Sequence, residues 1–582
     1  MAQRKLKKVS LKHADVPDLA VARVAGIASL VSLFSFFYYF QHSDLLLYGD
    51  AVAHINIARR VIDSQTPGLL QLGTVWLPLP HLLMIPFIFW NGMWQNGGGG
   101  SIPSMIAYVF GVVGIFRLVR GILVRGISEP PNQQGRQSVG AAAAAFAYGA
   151  NPNLIYMQAT AMTESLYIAL FVWAVVYFAE FVRALQKDDL QENATKNIDG
   201  ERARPKSMPT SLIWCAWCVA GAGMTRYDGW FLAGVMGAAV VVIALWRWPD
   251  RTSDCRVLRS LCVKFLVGIA VVPLLWLAYN RAVYGNALEF ANGPYSAKAI
   301  EQRVGAPNPA FHNARVAAIY FLKSAQLNLA EGKWGRFWLA AAVVALAIGA
   351  WKLRAQATAL FLLWIPLPFY ALSIAYGSVP LHVYTWWPFA TFNQRYGLQL
   401  QPMFAVSAGV LVAWVFSWTS REGVPGRHAG KLVALVFALV IGSYASVWKE
   451  PQCLKEARRN WEIRNPMNSA VERVVTRLPR HSRFLMDLGE HVGIMEQLGI
   501  PLRQVVNNEN HRPWKRPTDP DGLWERALAD PARYVDFVIA FDGDLVDQSL
   551  NRTDLIELTV IHASGQAPAH IYAIRSNLNQ RR

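Results

Sequence analysis

Asp50 and His54 stand four residues apart in the stretch Tyr48-Gly49-Asp50-Ala51-Val52-Ala53-His54. On a helix that spacing puts a carboxylate and an imidazole one turn apart on a shared face. A carboxylate and an imidazole so placed are suited to proton-transfer chemistry at the membrane surface, and with Glu164 or His382 they could also hold a divalent ion. An aspartate here is equally the residue type that caps helices, so this segment alone leaves capping and catalysis both open. The element that must carry the pair follows from its neighbours. Leu19 to Phe40 is a long apolar run, so Asp50 emerges where a membrane-spanning helix would leave the bilayer. Beyond Gly49, Ala51, Ile55, Ala58 and Ile62 recur on one side of a helix, and Asn56, Arg59, Arg60 and Asp63 on the other. That pattern predicts an amphipathic helix lying on the membrane surface.

The wider composition agrees with a membrane setting. Of 582 residues 53% are hydrophobic and only 16% charged, and apolar runs long enough to cross a bilayer recur along the chain. The formal charge of +18 does not point to nucleic acid, because the Lys and Arg lie in short segments between apolar runs. That is the positive-inside pattern. Five cysteines, at 215, 218, 255, 262 and 453, form no disulfide framework, and the Cys215/Cys218 pair falls inside an apolar helix where packing is its expected role. The basic start (Arg4, Lys5, Lys7, Lys8) has no small-residue cleavage site after Phe40, so the first run is expected to be an uncleaved span.

Taken in order, the runs predict a mainly α, polytopic protein of about eleven transmembrane helices with its N-terminus in the cytoplasm and its C-terminus outside. Residues 1–18 form a basic cytoplasmic N-terminus, 19–449 the membrane domain, and 450–582 a small extramembrane α/β domain. Within the membrane domain, 41–102 is the first outer loop. Its apolar part, Leu77 to Trp90, is too short to span and carries Pro78, Pro80 and Pro86, so it is read as interfacial. Gly97 to Gly100 is expected to be a flexible joint.

On this topology the unusual polar and aromatic residues gather at the outer face: Glu164, Arg226, Tyr227, Asp228, Glu289, Tyr295, Lys298, His382, Arg395 and Tyr396 join Asp50 and His54. Each has an ordinary reading beside the functional one. Glu164 can be an interfacial acid that reaches water, Arg226 and Asp228 can pair across a turn, and Arg395 can anchor a span.

The layout resembles the GT-C glycosyltransferases, membrane enzymes that include the lipid A aminoarabinose transferase and the protein O-mannosyltransferases. The matching features are an acidic motif after the first span (Gly49-Asp50-Ala51), a Pro-rich part in a long outer loop (Leu77 to Pro86), a later acid at the outer start of a span (Glu164), and Arg395-Tyr396 late in the series. The acidic motif is Asp-Ala where Asp-Glu is commoner, and Val75-Trp76 stand where a phosphate-binding Lys is often found. The resemblance implies a polyprenyl-phosphate sugar donor, a lipid, glycan or protein acceptor, and inverting transfer with Asp50 as base. It further implies that Arg226, Lys298, His382 or Arg395 contacts the phosphate, and it suggests the inner membrane of a bacterium. A transporter or lipid flippase is the alternative, and it would show internal repeats and polar groups at mid-membrane. A sensor anchored by its spans is a third, for which about eleven spans are excessive.

Overall fold

In hydrocarbon an apolar run can satisfy its backbone only within itself, and here the runs become helices. The computed structural model describes residues 18–123, 131–195, 210–246, 253–304, 308–377, 379–421, 426–489, 491–511 and 522–575. Among them eight helices are long and apolar enough to cross a membrane. They begin with α1 (Leu19–Gln41). The remaining expected spans fall on the shorter apolar helices Ser138–Gly149 and Ser211–Gly223 and on the helix Gly426–Trp448. Large side chains such as Phe34 and Trp246 stand exposed on these helices (74% and 79%), as lipid-facing residues do and as water-facing ones on this scale do not. The protein is an integral, multi-pass membrane protein. Most of the basic N-terminus, with Arg125 and residues 196–208 of the expected cytoplasmic loop, lies outside the described residues.

Between the first two long helices the chain makes α2 (Gly49–Arg60) and then short helical pieces, Leu69–Leu72, Leu79–Met84, Ile85–Phe87 and Asn91–Gln95. Pro80 sits in the first turn of Leu79–Met84, where a proline is tolerated, and Pro86 lies in the 3-10 turn to which that helix gives way. Two expectations need correcting here. First, α2 does not lie open on a surface: every residue from Ala51 to Arg60 is buried. Its polar side is covered too, with Arg59 held by Asp63 and by the Ile88 and Phe89 carbonyls, and Asn56 by the Trp94 indole. Second, the glycine run is no joint, because Gly98 to Gly100 are the first turn of α3 (Gly98–Leu123). A Cβ on Gly99 would lie 2.6 Å from the Phe87 carbonyl oxygen, and one on Gly100 2.7 Å from Ala161 Cβ. The glycines let the helix begin against its neighbours.

After α3 come α4 (Glu164–Thr195) and, late in the series, α5 (Gln401–Arg421). α5 packs along the helix Pro131–Gly149, and there Gly140 and Gly409 meet. A Cβ on either would sit 2.7 or 2.5 Å from the other's carbonyl oxygen, the close backbone approach that small residues allow between membrane helices.

From α6 (Gln452–Val475) onward the chain turns to mixed structure. Strands β1 (Phe484–Leu485), β2 (Val505–Val506), β3 (Phe537–Phe541), β4 (Leu555–Ile561) and β5 (Ala569–Ile574) form one sheet in the order β2-β1-β3-β5-β4. β1 runs parallel to β2 and β3, and β5 antiparallel to β3 and β4, with Ile539 opposite Ile571. Alternation explains why β3 is apolar throughout. Phe537, Ile539 and Phe541 join the main core, and Val538 and Ala540 join a second small core under Trp524.

Candidate active site

The first turn of α2 fixes Asp50. The residue at the N-cap is Tyr48, with no side-chain cap, and Asp50 lies inside the helix. Capping is therefore not what this aspartate does. α6 holds the turn in place: the Tyr48 hydroxyl donates to the Cys453 carbonyl at 2.8 Å and the Gly49 N–H to Asn460 Oδ1 at 2.7 Å. Asp50 Oδ2 then accepts from Arg395 Nη2.

Arg395 enters from the 3-10 turn Gln394–Leu400 that leads into α5. Each of its side-chain nitrogens serves a carboxylate: Nη2 meets Asp50, Nη1 meets Glu456 Oε1 at 3.1 Å, and Nε meets Glu164 Oε1 at 3.3 Å. Its backbone N–H also donates to Glu456 Oε2 at 3.3 Å. Glu164 Oε1 accepts in addition from Arg226 Nη1 at 3.2 Å, and Arg226 Nε lies 3.3 Å from both Asp228 oxygens. Tyr370 closes this end, accepting from Arg226 Nη2 and donating to Asp228 Oδ2, both at 3.1 Å. The Tyr396 ring faces both guanidinium carbons, at 5.1 and 5.2 Å. Six charges are thus joined in one network, and such burial is tolerable only because each ion has an opposite neighbour. Burial raises the Glu456 carboxyl above its ordinary range, and Arg395 opposes the rise.

A cavity of about 470 Å³ opens beside Asp50. Its wall takes Ala53, Ile57 and Arg60 from α2, Thr74 to Trp76 from the first loop, Tyr295, Ile300, His382, Arg395 and Tyr396 from later segments, and Leu488, Gly489, Val492, Asn508 and Glu509 from the C-terminal region. The structure brings Asp50, Tyr295, His382, Arg395 and Tyr396 together around it, with Glu164, Arg226 and Asp228 behind them.

The other residues singled out from sequence lie elsewhere. His54 is buried, with Nδ1 2.9 Å from His81 Nε2 and the ring against Trp76. Burial, helped by Arg226 and Arg395, pushes it down to about 3, so His54 is a neutral packing group one turn below Asp50. It does not join Asp50, Glu164 or His382 in a ligand set, and no three His, Cys, Asp or Glu side chains stand together for a metal among the described residues. Tyr227 donates to the Val75 carbonyl at 2.9 Å and stacks on Phe290. Glu289 accepts from Asn286 at 3.2 Å in a short exposed turn, and Lys298 stands exposed outside the cavity wall.

Two residues were not legible beforehand. Glu456 sits in a helix whose distance from Asp50 in sequence hides its role. Arg60 read as part of the polar stripe of α2, but it is 4% exposed and lines the cavity. Among the described residues it has no carboxylate partner: Nη2 reaches the Gln71 carbonyl at 3.4 Å and Nε has no acceptor.

No family model matches this chain, and no curated protein matches it in sequence. Solved structures do. ArnT from Cupriavidus metallidurans in the apo state is 12% identical and superposes with a TM-score of 0.50 over 96% of this chain and 99% of that one. ArnT from the same organism bound to undecaprenyl phosphate is 12% identical with a TM-score of 0.49, over 95% of this chain and 97% of that one. At that identity the likeness speaks for architecture alone, and it shows that this polytopic membrane chain shares its overall fold with ArnT.

Proposed function

We propose that this chain is an inverting glycosyltransferase that moves a sugar from a polyprenyl-phosphate carrier to an acceptor hydroxyl of a lipid, glycan or protein. The observation that carries the reading is the position of Asp50. Its side chain is 41% exposed beside the cavity, while Glu164, Asp228 and Glu456 in the same network are sealed at 0%, 4% and 7%. One carboxylate is held by an arginine yet open to a ligand, as a general base must be. The likeness in fold to ArnT supports the same reading.

In the reaction Asp50 takes the proton of the acceptor hydroxyl as that oxygen bonds to the anomeric carbon. The bond from that carbon to the lipid phosphate oxygen breaks, and the electron pair leaves with the phosphate. Inversion requires the leaving group on the side of the sugar opposite the attacking oxygen. A cation serving the phosphate must then stand across the sugar from Asp50. Arg395, which touches Asp50 itself and is occupied by three carboxylates, orients the base instead. Arg60 fits the far position. It lies ten residues further along α2, a rise of about 15 Å, which leaves room for a sugar between base and phosphate.

The positive-inside pattern supports a cytoplasmic N-terminus, with the cavity and the region after residue 450 on the outer face of the membrane, and the likeness to GT-C enzymes supports a bacterial inner membrane. The test is binding and turnover of a panel of radiolabelled polyprenyl-phosphate sugars by purified protein, beside Asp50→Asn in the same detergent. The expected result is transfer by the parent and loss of about 10²- to 10⁴-fold in the variant, with donor binding kept. Normal transfer by Asp50→Asn, or a parent that binds no donor, overturns the proposal.

A further inference from the structure

The cavity wall contributed by the C-terminal region contains a group that the protein itself leaves unsatisfied. Asn508 is 6% exposed, and its Nδ2 donates to the Tyr295 hydroxyl at 2.7 Å, while its Oδ1 is buried without a donor. The Tyr295 hydroxyl in turn lies 2.9 Å from Asp487 Oδ2, to which it donates. This chain fixes which way the carboxamide faces: Asp487 accepts from Tyr295, Tyr295 accepts from Nδ2, and Oδ1 is the atom left over. Gly489 keeps the place open, since a Cβ there would lie 3.0 Å from Asn508 Nδ2, 3.1 Å from Tyr295 Cε1 and 3.2 Å from Asp487 Oδ1. Tyr295, Gly489 and Asn508 all line the same cavity as Asp50.

A buried carbonyl oxygen with no donor is rare in a folded protein and marks a place where something else supplies the proton. The missing partner is a donor, which excludes an ionised phosphate, whose oxygens only accept. The place is also close to the base. Val492, three residues after Gly489, approaches within 3.8 Å of a Cβ built on Gly49, and three residues reach at most about 10 Å. One or two sugar rings cover that distance.

We infer that Asn508 Oδ1, oriented by Tyr295 and Asp487, accepts a hydrogen bond from a sugar hydroxyl and makes the C-terminal region a reader of the transferred sugar or of a sugar acceptor. This rests on the glycosyltransfer reading above. It assigns to the region after residue 450 a share in substrate choice, as a polar group whose satisfaction depends on the correct hydroxyl discriminates against ligands that lack it.

The experiment uses full-length protein in detergent, as the parent, Asn508→Leu and Tyr295→Phe. Two lipid probes are compared by equilibrium binding: a polyprenyl phosphate bearing a hexose that the parent transfers, and the same polyprenyl phosphate without sugar. The KM for the parent's acceptor is measured alongside. If the subsite reads the donor sugar, Asn508→Leu binds the sugar-bearing lipid about 10-fold more weakly and the bare lipid as the parent does. If it reads the acceptor, both lipids bind as in the parent and the acceptor KM rises about 10-fold. Tyr295→Phe keeps the ring and the packing, so it folds, and it shows a smaller change in the same quantity. Parental affinities and KM in both variants overturn the inference. A parent that binds neither lipid instead removes the glycosyltransfer reading, and the two failures are told apart by the parent alone.

Discussion

Glu456 grips Arg395 at two points, Oε1 accepting from Nη1 at 3.1 Å and Oε2 from the backbone N–H at 3.3 Å. The second bond fixes the turn that presents the side chain, and the first fixes the guanidinium itself. α6 thereby sets the position of the arginine that holds Asp50. Glu456→Ala removes one partner of a buried pair and is expected to cost about 3 to 5 kcal/mol of stability. Glu456→Gln keeps acceptors at one of the points and loses the charge, so it unfolds less readily than Glu456→Ala but still lowers kcat. Unfolding in one detergent and turnover on the parent's donor check both. Equal stability of parent and Glu456→Ala refutes the pairing.

Two buried titratable groups give stability opposite pH slopes. Burial pushes Glu496 from 4.5 up to about 8, with Arg464 opposing. Between those values the folded chain binds a proton that the unfolded chain gives up, so stability falls as pH rises through that window. His54 is the reverse. Its folded value of about 3 against 6.5 means that the unfolded chain takes the proton, and stability is lost as pH falls below 6.5. From 6.5 to about 8 Glu496 acts without His54, and His570, raised by its hydrogen bonds to Glu557 and Asp542, adds to the same downward slope. The parent's melting temperature is expected to drop across that interval, and to drop less in Glu496→Gln, where only the His570 contribution remains. A parent that melts at one temperature from pH 6.5 to 8 contradicts this assignment.

What the sequence displayed was pattern, and what it concealed was company. The apolar runs and the position of Asp50 after the first of them follow from hydropathy and charge alone, as does the change of character after residue 450. Period and polarity could not say what would cover α2, so its buried polar side looked like a solvated stripe, and Arg60 and Asn56 were lost in it. Glycines looked like freedom because their other use, close approach, depends on neighbours such as Phe87 and Ala161 that lie at other positions in the chain. Glu456 and Asn508 act through contacts more than 60 residues distant in sequence from Arg395 and more than 200 from Tyr295. No local signal carries such contacts.

The start of α3 tests the reading of those glycines. Gly99→Ala would drive a Cβ to 2.6 Å from a backbone oxygen of Phe87, and a backbone cannot swing aside as a side chain can. A destabilisation of about 1 to 3 kcal/mol is expected. Gly92→Ala, where nothing lies within 4 Å, serves as the control and is expected to be neutral or slightly stabilising. Gly99→Ala melting with the parent would mean that the contact with Phe87 is looser than this geometry requires.

Arg60 is the prediction on which the direction of the reaction turns. It is a buried guanidinium in the cavity wall with no carboxylate to neutralise it among the described residues, and an unpaired buried charge is retained at a cost unless a ligand completes it. A phosphate monoanion or dianion does so, through charge-assisted hydrogen bonds worth about 1.5 to 3 kcal/mol. Arg60→Met is therefore expected to weaken binding of a polyprenyl phosphate about 10- to 100-fold, and Arg60→Lys, which keeps the charge but not the fork, to weaken it less. Asp50→Asn leaves the same binding intact, because the base stands on the other side of the sugar. Equilibrium binding of a radiolabelled polyprenyl phosphate to the variants decides it. Should Arg60→Met bind as the parent does, the phosphate lies elsewhere, and base and leaving group are not arranged along α2.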